Sequence, residues 1–391
     1  MRKINLPLAS STWNNSEVKE AIKVLKSGNL TMGKNVLSFE KKLSKFFKSK
    51  YCVMCNSGSS ANLLMASVLK YHSKIKLKQN AEVIVPSIAW STSYSPFHHL
   101  GFKLKFVDID LNTLNYDLKL LKKAINKNTK VILAVNILGN PNNFGQIKKI
   151  INKNKIVLLE DNCESMGAKY NKKYTGTFGL IGSFSTFYSH HISTMEGGFL
   201  CTSDEESYNL MLSLRAHGWT RDLPKKNIIY KFDKNFQNEK WNFILPGFNV
   251  RPGEIHAAIG IQQLKKLKKF LIIRKKNALY FNNLFKNNIF YIQKEIGTSS
   301  WFAFVFILKH HHKRKIHNLK NLLKKLHIEF RPIVAGNFTK KRAIKYIKHN
   351  IYSECKNAEY ADKYGIMIAN HHYDIRDKLL ALKNSIDIEL K

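Results

Sequence analysis

Ser183-Phe184-Ser185-Thr186-Phe187-Tyr188-Ser189-His190-His191-Ile192-Ser193-Thr194-Met195-Glu196-Gly197-Gly198 is the stretch on which the reading of this chain turns. Its start, Ser183–Phe187, has the short apolar-aromatic character of a strand, and Gly198–Thr202 reads as another. Between them lie two adjacent histidines and a Glu-Gly-Gly turn. No lysine occurs between Lys173 and Glu196. Imidazole moves protons near neutral pH and forms no lasting imine, so a histidine here suits acid–base work rather than covalent capture.

Working outward, further short apolar runs read as strands at Tyr51–Met54, Val83–Val85, Lys105–Ile109, Lys130–Val135 and Ile156–Leu159. Helical patterns fall between several of them, at Ser60–Leu69, Leu118–Ile125 and Phe144–Asn152. Alternation of this kind predicts an α/β unit with a largely parallel sheet, whose ligands collect beyond the carboxyl ends of the strands. Ahead of it, Asn14-Asn15-Ser16 opens a helix running to about Lys26, with Glu20 placed for capping and Gly28 as the stop. A second helix is expected over Val36–Phe47. Beyond the sheet, a long helix from Gly253 to about Phe285 is followed by strand-like Trp301–Leu308, helix-like Ile316–Leu326 and strand-like Ile328–Phe330. The pattern therefore predicts a large domain over 1–260, with an N-terminal arm, and a small α+β domain over 261–391.

Composition sets bounds. A chain of 391 residues, 44% hydrophobic, is long enough for a large core plus a smaller one. The start is polar and mixed, unlike a secretory leader, and no apolar run reaches 18 residues, so a cytoplasmic protein off the membrane is the expectation. Five cysteines without a leader do not read as a disulfide framework. Cys52-x-x-Cys55 is a single pair and carries a structural reading over a zinc one, so no metal is expected. The net charge of +38 would suit nucleic acid. Its lysines, however, are scattered, and Lys313-Arg314-Lys315 beside His310–His312 reads as a solvated loop. The expectation is no nucleic-acid partner, with the positive field drawing in a small polyanion.

Other segments carry possible chemistry. Asn56-Ser57-Gly58-Ser59-Ser60-Ala61-Asn62 joins a strand to a helix. Gly58 permits the turn, and the N–H groups at the positive helix end would suit a phosphate, although such turns are common. Trp90, after Val83-Ile84-Val85-Pro86, stacks on a flat ring or packs in the core. Asp161, at the end of Leu158-Leu159-Glu160, pairs with a protonated ring nitrogen or caps a helix.

With these residues in view, the chain resembles the sugar-nucleotide aminotransferase family, the fold-type I pyridoxal phosphate enzymes. The resemblance runs nearly end to end, through Gly28–Gly33, Ser57–Ser60, Glu160–Gly167, Arg215–Gly218 and Gly247–Arg251. It implies an aspartate aminotransferase-like fold and a homodimer that builds each site from both subunits. The family keeps a lysine six residues before Glu-Gly-Gly to hold the cofactor covalently; here that position is His190. This departure resembles the 3-dehydratase subgroup, as do Ala216–Arg221, Gly139–Phe144 and Arg331–Phe338.

The resemblance implies non-covalent pyridoxal or pyridoxamine phosphate, glutamate as amino donor, and loss of the C3 hydroxyl from a nucleotide-linked 4-keto-6-deoxy sugar, GDP-linked and manno-configured, with ammonia released. It assigns Gly58, Ser59 and Ser185 to the cofactor phosphate, Trp90 to ring stacking, Asp161 to the pyridine nitrogen, and Glu164 to the neighbourhood of the ring hydroxyl. Asn249 is assigned to the phosphate of the partner's site and His190 to the role of base. His217, Arg221 and Arg331 fall on the substrate side. His191 orients, packs or touches the phosphate. Relatives acting on CDP sugars hold an iron–sulfur cluster on four cysteines, three of them close together. This chain has no such trio, so no cluster is implied. Two other readings stay open: an aminotransferase that leaves its amine in the product, and a non-catalytic scaffold that binds nucleic acid.

Overall fold

The computed structural model describes residues 3–152, 155–233, 239–286 and 289–390. Its larger sheet has eight strands in the order Tyr51–Cys55, Gly198–Thr202, Ile181–Ser185, Val157–Asp161, Thr129–Val135, Glu82–Pro86, Lys103–Val107 and His349–Tyr352. All pairings are parallel except the two made by Gly198–Thr202, which runs against both neighbours. The apolar runs are continuous because the sheet is covered on both faces. Val83 and Val85 point into one core with Leu64 and Leu214, while Ile84 points into the opposite one with Phe144 and Ile147.

The second sheet is antiparallel, four strands in the order Phe290–Tyr291, Ala303–Leu308, Gly365–Ala369 and Phe330–Arg331. One of its faces packs Phe304 and Phe306 against Phe281 and Phe285 of the helix Glu254–Phe285. The other face packs Val305 and Ile307 against Ile88, Ile109 and Leu138. The first half of that helix sends Ala257, Leu267 and Phe270 to a different core, with Phe39 and Leu43. The architecture is thus a large, mainly parallel sheet unit with a smaller C-terminal α+β unit, the aspartate aminotransferase-like arrangement expected from the sequence.

Several local expectations need correction: the strand expected at Lys105–Ile109 spans Lys103–Val107, and the loop expected around Lys313–Lys315 is a 3-10 helix over His310–Lys315. The capping partner of the first helix, Asn15–Ser27, is Glu17: its carboxylate accepts from the Asn14 N–H at 2.9 Å while Asn14 caps in return, so Glu20 lies one turn too far along. The strand expected at Ser183–Phe187 spans Ile181–Ser185. Gly182 belongs to that strand, paired with Glu160 and Cys201, and only glycine fits there because a Cβ would meet Gly176 Cα at 2.3 Å. The strand near Ile328 is Phe330–Arg331. No helix among the described residues is long and apolar enough to cross a membrane.

Candidate active site

A cavity of about 310 Å³ opens where the parallel strands of the large sheet end. Its floor is Asp161, the last residue of its strand and 4% exposed. Oδ2 accepts from Ser93 Oγ at 2.7 Å and Asn62 Nδ2 at 2.9 Å, and Oδ1 accepts from the Cys163 N–H at 3.0 Å. Asn62 is itself fixed, because Ser183 Oγ donates to its Oδ1 at 2.6 Å. The carboxylate is therefore aimed before any ligand arrives.

One wall is the start of the helix Gly58–Tyr71, capped by Ser57 Oγ, which accepts from the Ser60 N–H at 3.0 Å. A Cβ at Gly58 would come within 2.6 Å of Ser185 Cβ, so only glycine lets the turn close onto that strand. Ser59 donates to Thr92 at 3.2 Å, and the Phe187 N–H reaches Ser185 Oγ at the same distance. The result is a helix N-terminus flanked by hydroxyls, facing into the cavity, which suits a phosphate.

Across from it stand Trp90, half exposed, with the Arg331 guanidinium 5.9 Å from its ring centre. Glu164 accepts from the Leu138 N–H at 2.9 Å, and burial pushes its carboxyl up to about 7, against the pull of Arg331. His190 lines the same cavity, its ring 5.3 Å from Phe302 and 6.0 Å from Phe187. Burial, then the charges of Arg331 and Arg274, push its imidazole down to about 3, so it stands neutral. Its Nδ1 is buried with no hydrogen-bond partner among the described residues. No lysine lines the cavity among the described residues.

The loop that carries His190 is clamped from the N-terminal arm. Gln263, fully buried, accepts from Thr12 Oγ1 at 2.6 Å and the Ser193 N–H at 3.0 Å. It also donates to Thr12 O at 3.1 Å and Glu17 Oε1 at 2.8 Å. Trp13 Nε1 adds a bond to Ser193 O at 3.0 Å.

Of the residues singled out in the sequence, Gly58, Ser59, Trp90, Asp161, Glu164, Ser185, His190 and Arg331 all line this one cavity. His217, Arg221 and Asn249 do not line it. They lie on an exposed stretch where Asn249 accepts from Arg251 Nε at 3.1 Å and Arg221 covers the Trp219 ring at 4.2 Å. His191 packs: it is fully buried, with Nε2 3.1 Å from Ser300 O. Sequence reading missed Asn62, Ser93, Phe302 and Arg274. A buried amide on the apolar side of a helix full of Leu, Met and Ala was the available signal for Asn62.

The residues fit a flat, phosphate-bearing heteroaromatic group. The glycine turn leaves a cradle that any side chain would fill, an indole faces the space, and a pre-aimed carboxylate stands at the far end. This scaffold and cavity define a fold-type I, aminotransferase-like protein. The chain belongs to the DegT/DnrJ/EryC1/StrS aminotransferase family, whose model matches residues 12–376. It is 52% identical to the GDP-4-keto-6-deoxy-D-mannose 3-dehydratase of Escherichia coli O55:H7, over 96% of this chain and 98% of that one. The enzyme of the same name from Yersinia pseudotuberculosis is 50% identical over 98% and 99% of the two chains. A crystal structure of GDP-4-keto-6-deoxymannose-3-dehydratase with a trapped PLP–glutamate geminal diamine superposes with a TM-score of 0.96. That chain is 50% identical, with 99% of this chain and 100% of that one covered.

Proposed function

We propose that this protein is a pyridoxal phosphate-dependent sugar-nucleotide 3-dehydratase. It removes the C3 hydroxyl of GDP-4-keto-6-deoxymannose to give the 3,6-dideoxy-4-keto sugar, with glutamate as amino donor and ammonia released. The observation that carries this reading is His190: a neutral imidazole stands in a cavity that holds no lysine among its described lining residues. The kinship to the two 3-dehydratases agrees with it.

When bound, the cofactor supplies an amine that engages the sugar carbonyl and a protonated ring that takes up electrons. Gly58, Ser59 and Ser185 would hold its phosphate at the helix N-terminus, Trp90 would cover its ring, and Glu164 would stand near its hydroxyl. Asp161 would pair with the ring nitrogen; its three hydrogen-bond donors fix the carboxylate in direction. His190 accepts a proton on its imidazole and returns it to the departing C3 oxygen, general acid–base help worth roughly 10²–10⁴-fold. Phe187 and Phe302 pack beside its ring. Arg331 contacts an anionic group of the substrate.

The active form is a cytoplasmic homodimer in which Asn249, His217 and Arg221 complete the partner's cavity. The boundary between the two units lies near residue 260, inside the helix Glu254–Phe285, whose halves serve different cores. The deciding experiment incubates the protein with pyridoxal phosphate, glutamate and the GDP-linked 4-keto sugar, then reads products by mass spectrometry. Free ammonia with a 3-deoxy-4-keto sugar is expected. An amino sugar would establish the aminotransferase reading instead.

A further inference from the structure

We propose that a smaller second cavity behind His190 is a carboxylate subsite for the amino donor, an inference that rests on the function proposed above. This cavity, about 60 Å³, lies between the arm residue Ser10, Arg274 of the long helix, Arg331, and His371. Ser189, His190, Phe302 and Arg331 line both cavities, so the two spaces adjoin along these residues.

The charge balance of its walls argues for an anion. Arg274 is 4% exposed, and its Nη1 donates to neutral carbonyls, Asn370 O at 2.7 Å and Phe302 O at 3.2 Å. Its Nε finds no partner. Among the described residues neither Arg274 nor Arg331 is in a salt bridge, and no Asp or Glu lines the cavity. His371 adds no charge: burial and Arg274 push it down to about 4, and its ring nitrogens are engaged by Ser10 Oγ at 2.8 Å and Pro7 O at 2.9 Å. A buried guanidinium without a counterion is costly, and an incoming carboxylate relieves that cost.

Size narrows the anion. The space exceeds the roughly 10–15 Å³ that one water needs, so a carboxylate fits. It is about a fifth the size of the main cavity, which suits a small anion better than the nucleotide end of the sugar substrate. An amino acid with its amine in the main cavity would pass one carboxylate beside His190 into the space between Arg274 and Ser10.

The test uses cofactor-loaded protein and glutarate, a dicarboxylate with no amine to react. Calorimetry on the unchanged protein, Ser10→Asn and Ser10→Asp reads the subsite directly, because Ser10 lines the second cavity alone. Glutarate binding is expected in the first two and to weaken about tenfold or more in Ser10→Asp, where a like charge meets the ligand. The glutamate concentration needed to aminate the cofactor, followed by absorbance, should rise in parallel. Equal glutarate binding by folded Ser10→Asp overturns the proposal. A crystal of the unchanged protein with glutarate decides independently: a carboxylate between Arg274 and Ser10 supports it, and glutarate confined to the main cavity overturns it. When pyridoxamine phosphate is supplied, the sugar reaction needs no donor. Absence of deoxy sugar there would break the functional reading and leave the subsite standing.

Discussion

Asp161 and Asn249 stand in opposite settings. Asp161 is 4% exposed and takes hydrogen bonds from Asn62 and Ser93 on two other elements and from the N–H of Cys163 in its own following turn. Asn249 is exposed, and among the described residues its side-chain oxygen meets the nearby Arg251 alone. Around Asn249 the surface is aromatic: Trp241 is 64% exposed and stacks on Trp219, with Phe243 51% exposed on the same cluster. A floor built by one chain needs nothing further to hold its shape. An uncovered aromatic stack with an arginine on it has the composition of an interface core. The contrast sets a floor that one chain builds by itself against an uncovered aromatic face, the face assigned above by proposal to a second copy.

The sharpest way to break this division is at the self-contained end. His190→Asn should cut dehydration by roughly 10²–10⁴-fold while the cofactor still binds, read by product mass spectrometry and absorbance. A normal rate would move the chemistry away from His190. Gly58→Ala places a Cβ 2.6 Å from Ser185 Cβ, so cofactor retention on dialysis should be largely lost. The shared-site half is tested by mixing His190→Asn with Asn249→Ala, each inactive alone. Random re-pairing should restore about a quarter of the wild-type activity, since half of the dimers carry one intact site of two. No recovery would confine each site to one chain.

A smaller effect concerns pH. Glu164 is raised from an ordinary 4.5 to about 7, so the folded protein holds a proton across that window that the unfolded chain has released. Glu164's own contribution to stability should therefore fall as pH rises from 4.5 to 7, against the opposite trend of the buried histidines, and Glu164→Gln should remove that falling component, read as the difference in denaturant midpoints between the two proteins across the window. The smallest change is expected at Trp241→Ala: stability within about 0.5 kcal/mol, because the side chain is exposed, but weaker self-association in ultracentrifugation.

The parallel sheet was legible because strands buried on both faces carry continuous apolar runs, as in Val83–Val85 and Val131–Val135. Two of its features were not. Gly198–Thr202 reads as a strand, but nothing in a run of five buried residues states which way it runs. His349–Tyr352 joins the edge of the large sheet from deep in the C-terminal part. It is only half-buried and polar at both its first residues, so it carries no strand signature. At the site, residues in short motifs stood out, since glycine turns and strand-end acids have local physical reasons. Asn62 and Ser93 matter only because distant elements bring them to Asp161. Arg274 was hidden among the lysines of an otherwise ordinary amphipathic helix.

The Gln263 clamp has a practical corollary for anyone handling the protein. Thr12 and Trp13 are stitched to Ser193, three residues past the imidazole, so the chain's leading segment is a fastener on the reacting loop. A purification handle spliced close ahead of Ser10, or trimming that removes Trp13, would tug on that fastener. A generous spacer keeps the stitch slack and the loop undisturbed.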